Sequence, residues 1–430
     1  MQVLSIQNNN FNKTTTLKRG IAPQMQTTNS PMTNSITKSV YAQGMGNIAF
    51  GGNIIPAVKT SFEKEIAEQP QVLKNLINKF FTKAGSINMD LKLSPEEVAN
   101  IRRISIIASG SSKHAAEMAQ NVIEKFTQTP VTIESASEFM GKSHPYNSKE
   151  DLTIFVSQSG MTADTLKALS QMHDKNIKTI AITNNSKSTI ANTADSHISI
   201  DAGEENAVAA TKTVTSSILS LMCLGLKLGE LKHTITPEEI SANQKQISLI
   251  PEKISEILKD TSDVKKAAKI IADADNIYYY AKGSNTGTAK EGALKLIETT
   301  GKRTIADSSS EALHGTFASI KPENPVLEIV VGDKNSDTCK LSLENINEMI
   351  KKRNIQNPII MKTYSNEAKL QNADTINPTY IGLPEVEEMY SPILTTIRMQ
   401  QITNEVTKIL NINPDNGGNF LTKYRGNMSM

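Results

Sequence analysis

Residues 153–166 read TIFVSQSGMTADTL. Between a β-branched apolar run and the start of a helix stand Ser157, Gln158, Ser159 and Thr162, more hydroxyls than one turn and one helix cap require. A similar junction occurs at ASGSS, where Ser111 and Ser112 follow another apolar run and open an amphipathic segment. In a parallel sheet both loops lie beyond the carboxyl ends of strands, where helix N-termini offer N–H groups and the positive end of a dipole. Hydroxyls and backbone N–H groups together suit a phosphate dianion without Lys or Mg²⁺. The competing reading makes these residues ordinary caps of two turns. Neither GxxxxGK[ST] nor GxGxxG is present, so the phosphate belongs to something other than a nucleotide held in those loops.

Three further stretches carry reactive side chains. In KEGALKLIE (290–298), Glu291, Lys295 and Glu298 are spaced by four and three residues, which puts all three on one helix face within about 40°. That face either sets a carboxylate beside an ammonium for chemistry or is a solvated ion pair worth a few tenths of a kcal/mol. In SSSEALHG (308–315), His314 follows a Ser-rich turn and is open to three readings: cap, core residue or acid/base. The segment NPDNGGNFLTKYRGN (413–427) carries Phe420, Leu421 and Lys423, a combination that also suits a simply docked end.

The elements that must position these groups follow from periodicity. From 101 onward, short β-branched runs (ISIIAS, VTIESA, LTIFVS, TIAITN, HISID) alternate with amphipathic segments and end in a long apolar helix at 208–228. This alternation predicts an α/β fold, a parallel sheet covered by helices on both faces. After a charged helical stretch at 236–262 the pattern restarts: IYYYAKGSNTGTAKEGALKL resembles IIASGSSKHAAEMAQ, and TIAD, VLEIVVGD, NPIIMKT and TYIGL supply further runs. The chain reads as a tandem duplication with its second copy at about 263–410. Where the first copy has SQSGMTADT the second has GDKNSDTCK, so only the first keeps the hydroxyl loop. Ahead of both, residues 1–52 read as a disordered polar tail, and 60–81 as a helix whose apolar pattern is interrupted near Pro70.

Composition narrows the class of partner. With 46 basic and 44 acidic side chains in 430 residues, no sequence-wide field favours nucleic acid or a membrane surface. The apolar runs fall short of the roughly 20 residues of a membrane span. Cys223 and Cys339 lack metal spacing, which fits a soluble protein of a reducing cytoplasm.

Taken in order, KEIAEQP, GSSKHA, ASEF, SQSGMTADT, VAATKT, EGALKLIE, SEALHG and the lysine-bearing tail resemble the SIS (sugar isomerase) domain family. The resemblance covers about 60–423 and is greatest to the isomerase half of glutamine–fructose-6-phosphate aminotransferases and to SIS-type glucosamine-6-phosphate deaminases. It implies two tandem domains, each a flavodoxin-like five-stranded parallel sheet with helices on both faces. The expected boundaries are a lead-in at 53–90, domains at 91–235 and 263–410, a linker at 236–262 and a tail at 411–430.

The resemblance also implies roles. Ser111, Ser112, Ser157, Gln158, Ser159 and Thr162 match the residues that bind the sugar phosphate, and the backbone around Val208 and Ala210 matches the segment lining the sugar. Glu298 matches the carboxylate that moves a proton between C1 and C2, with Lys295 and Glu291 its helix neighbours. His314 matches the ring-opening acid/base supplied by the other subunit of a homodimer, and Lys423 the lysine that closes over the sugar. No metal or organic cofactor is implied. The implied reaction interconverts fructose 6-phosphate and glucosamine 6-phosphate. A glutaminase segment with its nucleophilic Cys is not found in the sequence, so the expectation is free ammonia or a separate glutaminase chain. Ala210 stands where the synthases commonly have serine and HGTF where they have HGP, VAATK and SSSEALHG are closer to the deaminases, and the direction of reaction stays open. A further enzymatic alternative is a deglycase acting on another N-substituted sugar phosphate, and the rival from another class is a sugar-phosphate sensor without turnover.

Overall fold

The computed structural model describes residues 59–82, 85–143, 145–366, 370–371 and 376–419. The polar segment 1–52 and Lys423 lie outside the described residues. The chain enters through α1 (Ser61–Phe80) and α2 (Pro95–Asn100). A first alternation follows: β1 (Arg103–Ala108), α3 (Ser111–Thr127), β2 (Val131–Ser135), α4 (Ala136–Phe139), β3 (Asp151–Val156), α5 (Ala163–Asp174), β4 (Lys178–Thr183), α6 (Thr189–Thr193), β5 (Ser196–Ser199) and α7 (Lys212–Leu231). Helices α8 (Pro237–Ser248), α9 (Ile250–Lys259) and α10 (Ser262–Asp273) lead to the second: β6 (Asn276–Ala281), α11 (Asn285–Thr300), β7 (Arg303–Ser308), α12 (Ser309–Ala312), β8 (Val326–Val330), α13 (Asp337–Arg353), β9 (Pro358–Thr363), β10 (Thr379–Leu383) and α14 (Ser391–Ile409).

Each alternation builds a five-stranded, wholly parallel sheet, in the orders β2-β1-β3-β4-β5 and β7-β6-β8-β9-β10. The two orders are the same when each sheet is numbered from its own first strand. Both are the flavodoxin-like arrangement, in which the connections leave in opposite directions from the first and third strands and open a crevice there. The duplication and the α/β class predicted from periodicity are therefore both present.

The inner faces of the two sheets share one apolar core with α1, α3, α7, α10, α11 and α14, while the outer faces carry smaller clusters of their own. Helix α7 is long and apolar enough to cross a bilayer by length and composition, yet most of it is buried in this core. A helix that is apolar on every side is what a position between two layers demands. It begins at Lys212, four residues later than its apolar run suggests, because Glu205 caps it there: the N–H groups of Thr211 and Thr213 donate to Glu205 Oε1 at 2.9 and 3.1 Å. Pro70, where the sequence pattern is interrupted, lies inside an unbroken α1. The carbonyl of Ile66, which a proline four residues on cannot satisfy, accepts instead from Gln69 Nε2 at 3.2 Å.

One close approach joins the halves. Helices α3 and α11, each following the first strand of its sheet, cross where α11 carries Gly287. A Cβ there would come within 3.0 Å of the His114 carbonyl oxygen and 2.8 Å of Met118 Cγ, so only glycine lets the second half's helix sit this near the first half's loop.

Candidate active site

The loop after β1, the loop after β3 and the first turns of α7 enclose a cavity of about 180 Å³ at the crevice of the first sheet. Ser111, Ser112, Ser157, Gln158, Ser159, Thr162 and Ala210 line it, together with Ser109, Thr213 and Ser217. It is smaller than the roughly 300–1,000 Å³ of an ordinary ligand cleft, the size of a socket for one head group.

The hydroxyls are not spent on capping in the way ordinary turns would spend them. Thr162 is the N-cap of α5 but makes no capping bond, pairing instead with Ser157 across 3.1 Å. Gly110, the N-cap of α3, has no side chain to offer. Ser157 and Ser159 accept from the N–H groups of Gly160 and Met161 at 3.2 Å each, which folds the loop tightly. Gly160 holds this turn with φ +62°, and a Cβ on it would collide with Ser188 Oγ at 2.1 Å. Two helix N-termini without side-chain caps and a ring of hydroxyls therefore face one small socket, an arrangement suited to a dianion.

Beside the socket runs the charged face of α11. Glu291 and Lys295 are each 1 % exposed and Glu298 21 %, so this face is buried and is not a solvated ion pair. Lys295 Nζ donates to Glu298 Oε2 at 2.5 Å and to Ser111 Oγ at 3.1 Å, and stands 3.5 Å from Glu291 Oε1. Across the α3–α11 crossing, His114 Nδ1 lies 2.8 Å from Glu291 Oε2. Burial alone would push the Glu291 carboxyl up, but the Lys295 ammonium and the hydrogen bonds from His114 and Ser111 hold it below the usual carboxylate range. Burial would likewise push Lys295 down, and Glu291 and Glu298 hold it above the usual lysine range. The result is a buried ammonium shared between two carboxylates and one hydroxyl of the socket.

The loop that closes the other side is tied down from a distance. Glu65 on α1 accepts from the N–H groups of Asn206 and Ala207 at 2.5 and 3.0 Å and from the Thr211 hydroxyl at 2.8 Å. Burial pushes the Glu65 carboxyl up despite these bonds. Among the described residues no group of three or more His, Cys, Asp or Glu side chains is placed to hold a metal ion.

Two segments, 97–227 and 270–397, match the SIS domain. The chain belongs to the SIS domain family. It is 32 % identical over 345 residues to the isomerizing glutamine–fructose-6-phosphate aminotransferase of Clostridium acetobutylicum, spanning 80 % of this chain and 55 % of that protein. The same enzyme of Clostridium perfringens is 30 % identical over 392 residues, 90 % of this chain and 62 % of its relative. The chain thus spans little more than half the length of these curated relatives. Among solved structures, the C-terminal domain of glucosamine-fructose-6-phosphate aminotransferase from Francisella tularensis superposes with a TM-score of 0.77 at 26 % identity, over 84 % of this chain and 98 % of that one. Glucosamine-6-phosphate deaminase from Thermotoga maritima shares the fold, with a TM-score of 0.62 at 20 % identity over 85 % of this chain and 99 % of that one.

Within this SIS chain the residues singled out from sequence fall into three groups. The six socket residues and Ala210 share the cavity, and Glu291, Lys295 and Glu298 join it through the Lys295–Ser111 bond. Val208 is half-buried in the loop before α7 and does not line the cavity. His314 is exposed beyond α12, away from the cavity, and Lys423 is outside the described residues. His114, Glu65 and Glu205 were missed. His114 left one faint signal, standing one helical turn after Ser111, whereas nothing local marks Glu65 for a loop 141 residues downstream.

Proposed function

We propose that this chain is an enzyme of the sugar-phosphate isomerase kind that interconverts glucosamine 6-phosphate and water with fructose 6-phosphate and ammonia. The observation that carries the reading is Lys295, which bonds at once to Ser111 of the socket and to Glu298. One side chain thereby couples the phosphate end of a ligand to a base. Its kind is supported by relatives that are isomerizing aminotransferases matching over most of this chain.

In this reading the hydroxyls of Ser157, Thr162, Ser111 and Ser112 and the N-termini of α3 and α5 take the phosphate. The open-chain sugar then extends toward α11. Glu298 removes the proton from C2 while O1 takes up a proton, leaving an enolamine between C1 and C2, and returns it to C1 while the amine nitrogen gives up a proton, leaving an imine at C2. Water adds to that imine and ammonia departs, giving the ketose. The same steps in reverse make the amino sugar from ketose and ammonia, and proton transfer without the amine would isomerise the aldose and ketose phosphates. Lys295 offsets charge as Glu298 gives and takes the proton. Opening of the sugar ring falls to His314 of a second subunit, a role that suits an exposed residue, and Lys423 closes over the carbonyl. A separate glutaminase chain would supply the ammonia for synthesis.

The test incubates purified protein with glucosamine 6-phosphate, follows ammonia and fructose 6-phosphate, and repeats the assay with Glu298→Gln. Turnover lost in the variant supports the reading. Tight binding of the sugar phosphate with no turnover in either direction, ammonia supplied, would sink it in favour of a sensor.

A further inference from the structure

His114 has no part in the steps above, yet it reaches from the first half's helix to a carboxylate of the second's. Its Nδ1 is 2.8 Å from Glu291 Oε2, and Glu291 is almost wholly buried. The carboxylate therefore depends on few donors: His114 on one oxygen, the Ser111 hydroxyl, and the Lys295 ammonium, 3.5 Å from the other oxygen. Lys295 in turn is held between Glu291 and Glu298, with Glu205 adding a more distant negative charge. Around the crossing the remaining charges are paired with one another, Glu117 bridging Lys113 at 3.2 Å and Lys290 at 3.0 Å. They leave Glu291 to His114, Ser111 and Lys295.

Remove the histidine donor and the buried carboxylate must draw Lys295 closer or take up a proton. In the first case Lys295 leaves Glu298 and Ser111; in the second it binds Glu298 as its sole counter-ion and makes that group a poorer base. The glycine at 287 fixes the helix spacing that keeps the histidine in reach. We infer that His114 is a positioning residue: by holding Glu291 it sets Lys295 between the phosphate socket and the base, without touching the substrate. The inference rests on the function proposed above.

Three variants test it in the same ammonia-release assay. His114→Asn can present an N–H near the place of Nδ1, His114→Gln keeps polarity but carries its amide further out, and His114→Leu keeps bulk without a donor. The expected result is a kcat lowered about ten- to a hundredfold in the Leu and Gln variants, with KM within about twofold of wild type, and most of kcat kept in the Asn variant. The Asn–Gln contrast holds even if the Leu variant fails to fold. Equal kcat in Asn and Gln, or a loss confined to KM, would overturn the inference while leaving the enzyme reading standing. An inactive wild type would overturn both.

Discussion

The crevice of the first sheet and the crevice of the second have the same strand order, yet only the first is lined mostly by hydroxyls. At the second, the cavity is larger, about 980 Å³, and the chain's own Glu388 is lodged in it. That carboxylate rests against Gly332, where a Cβ would lie 2.6 Å from Oε2, and is hydrogen-bonded by Ser336 and Thr338 at the start of α13. Burial pushes the Glu388 carboxyl up, against the effect of those bonds. An anionic group thus occupies in the second half the kind of place that the first half leaves free. The helices differ in the same sense. Lys125 and Glu298 stand at the same distance from the Gly-Ser of their respective loops, and Lys125 lines the second cavity. Where α11 carries Glu291 and Lys295, α3 carries the apolar Met118 and Val122. The fold supplies two crevices, and a few side chains decide which of them suits chemistry.

Six variants break or sharpen that contrast. Replacing Lys295 with Met leaves two carboxylates facing each other in a buried place, and a loss of about 3–5 kcal/mol together with all turnover is expected. Lys125→Met on the other helix should stay within about 0.5 kcal/mol. Urea denaturation of both variants checks the pair.

The sheets also differ at their third strands. The register sets Glu328 beside Tyr280 in the second sheet, where the first has Phe155 beside Ile107. Burial pushes the Glu328 carboxyl up to about 8, outweighing the neighbouring Ser309 and Ser342 hydroxyls, which act to lower it. A carboxyl raised in the folded state keeps its proton while the unfolded chain releases it, so this group lowers stability as pH rises from about 4.5 toward 8. Glu328→Gln should flatten the stability profile over that range by a few kcal/mol, read from denaturant midpoints at pH 5 and pH 8. An unchanged slope would mean that the carboxyl titrates as an ordinary one.

Next in size is the socket itself. Ser157→Ala with Thr162→Ala should weaken fructose 6-phosphate binding about ten- to a hundredfold in calorimetry, since hydrogen bonds to a charged group are worth about 1.5–3 kcal/mol. Ser336→Ala with Thr338→Ala, the second-half counterpart, should leave that affinity unchanged; an equal loss would erase the distinction between the crevices. Gly287→Ala should cost about 1–3 kcal/mol from crowding at the helix crossing, measured as a shift in the unfolding midpoint.

Much of this was legible beforehand because it is local. Strands at 103–108, 151–156 and 276–281 announce themselves through β-branched and aromatic runs, and the spacing of Glu291, Lys295 and Glu298 puts them on one face by helix geometry alone. Whether that face meets water or protein was not legible, since it depends on α3 lying across it. Pro70 misled for a related reason: the cost of a proline inside a helix was offset by a side chain, Gln69, whose choice of partner no periodicity reveals.

The sequence by itself determined the duplication, the parallel sheets and the hydroxyl-rich loop, because hydrophobic period and turn chemistry act between residues a few positions apart. Tertiary structure alone decided that Lys295 meets Ser111, that His114 meets Glu291 and that Glu388 enters the second crevice. Such pairs are brought together only when two halves pack, and the burial that gives them their electrostatic weight exists only then.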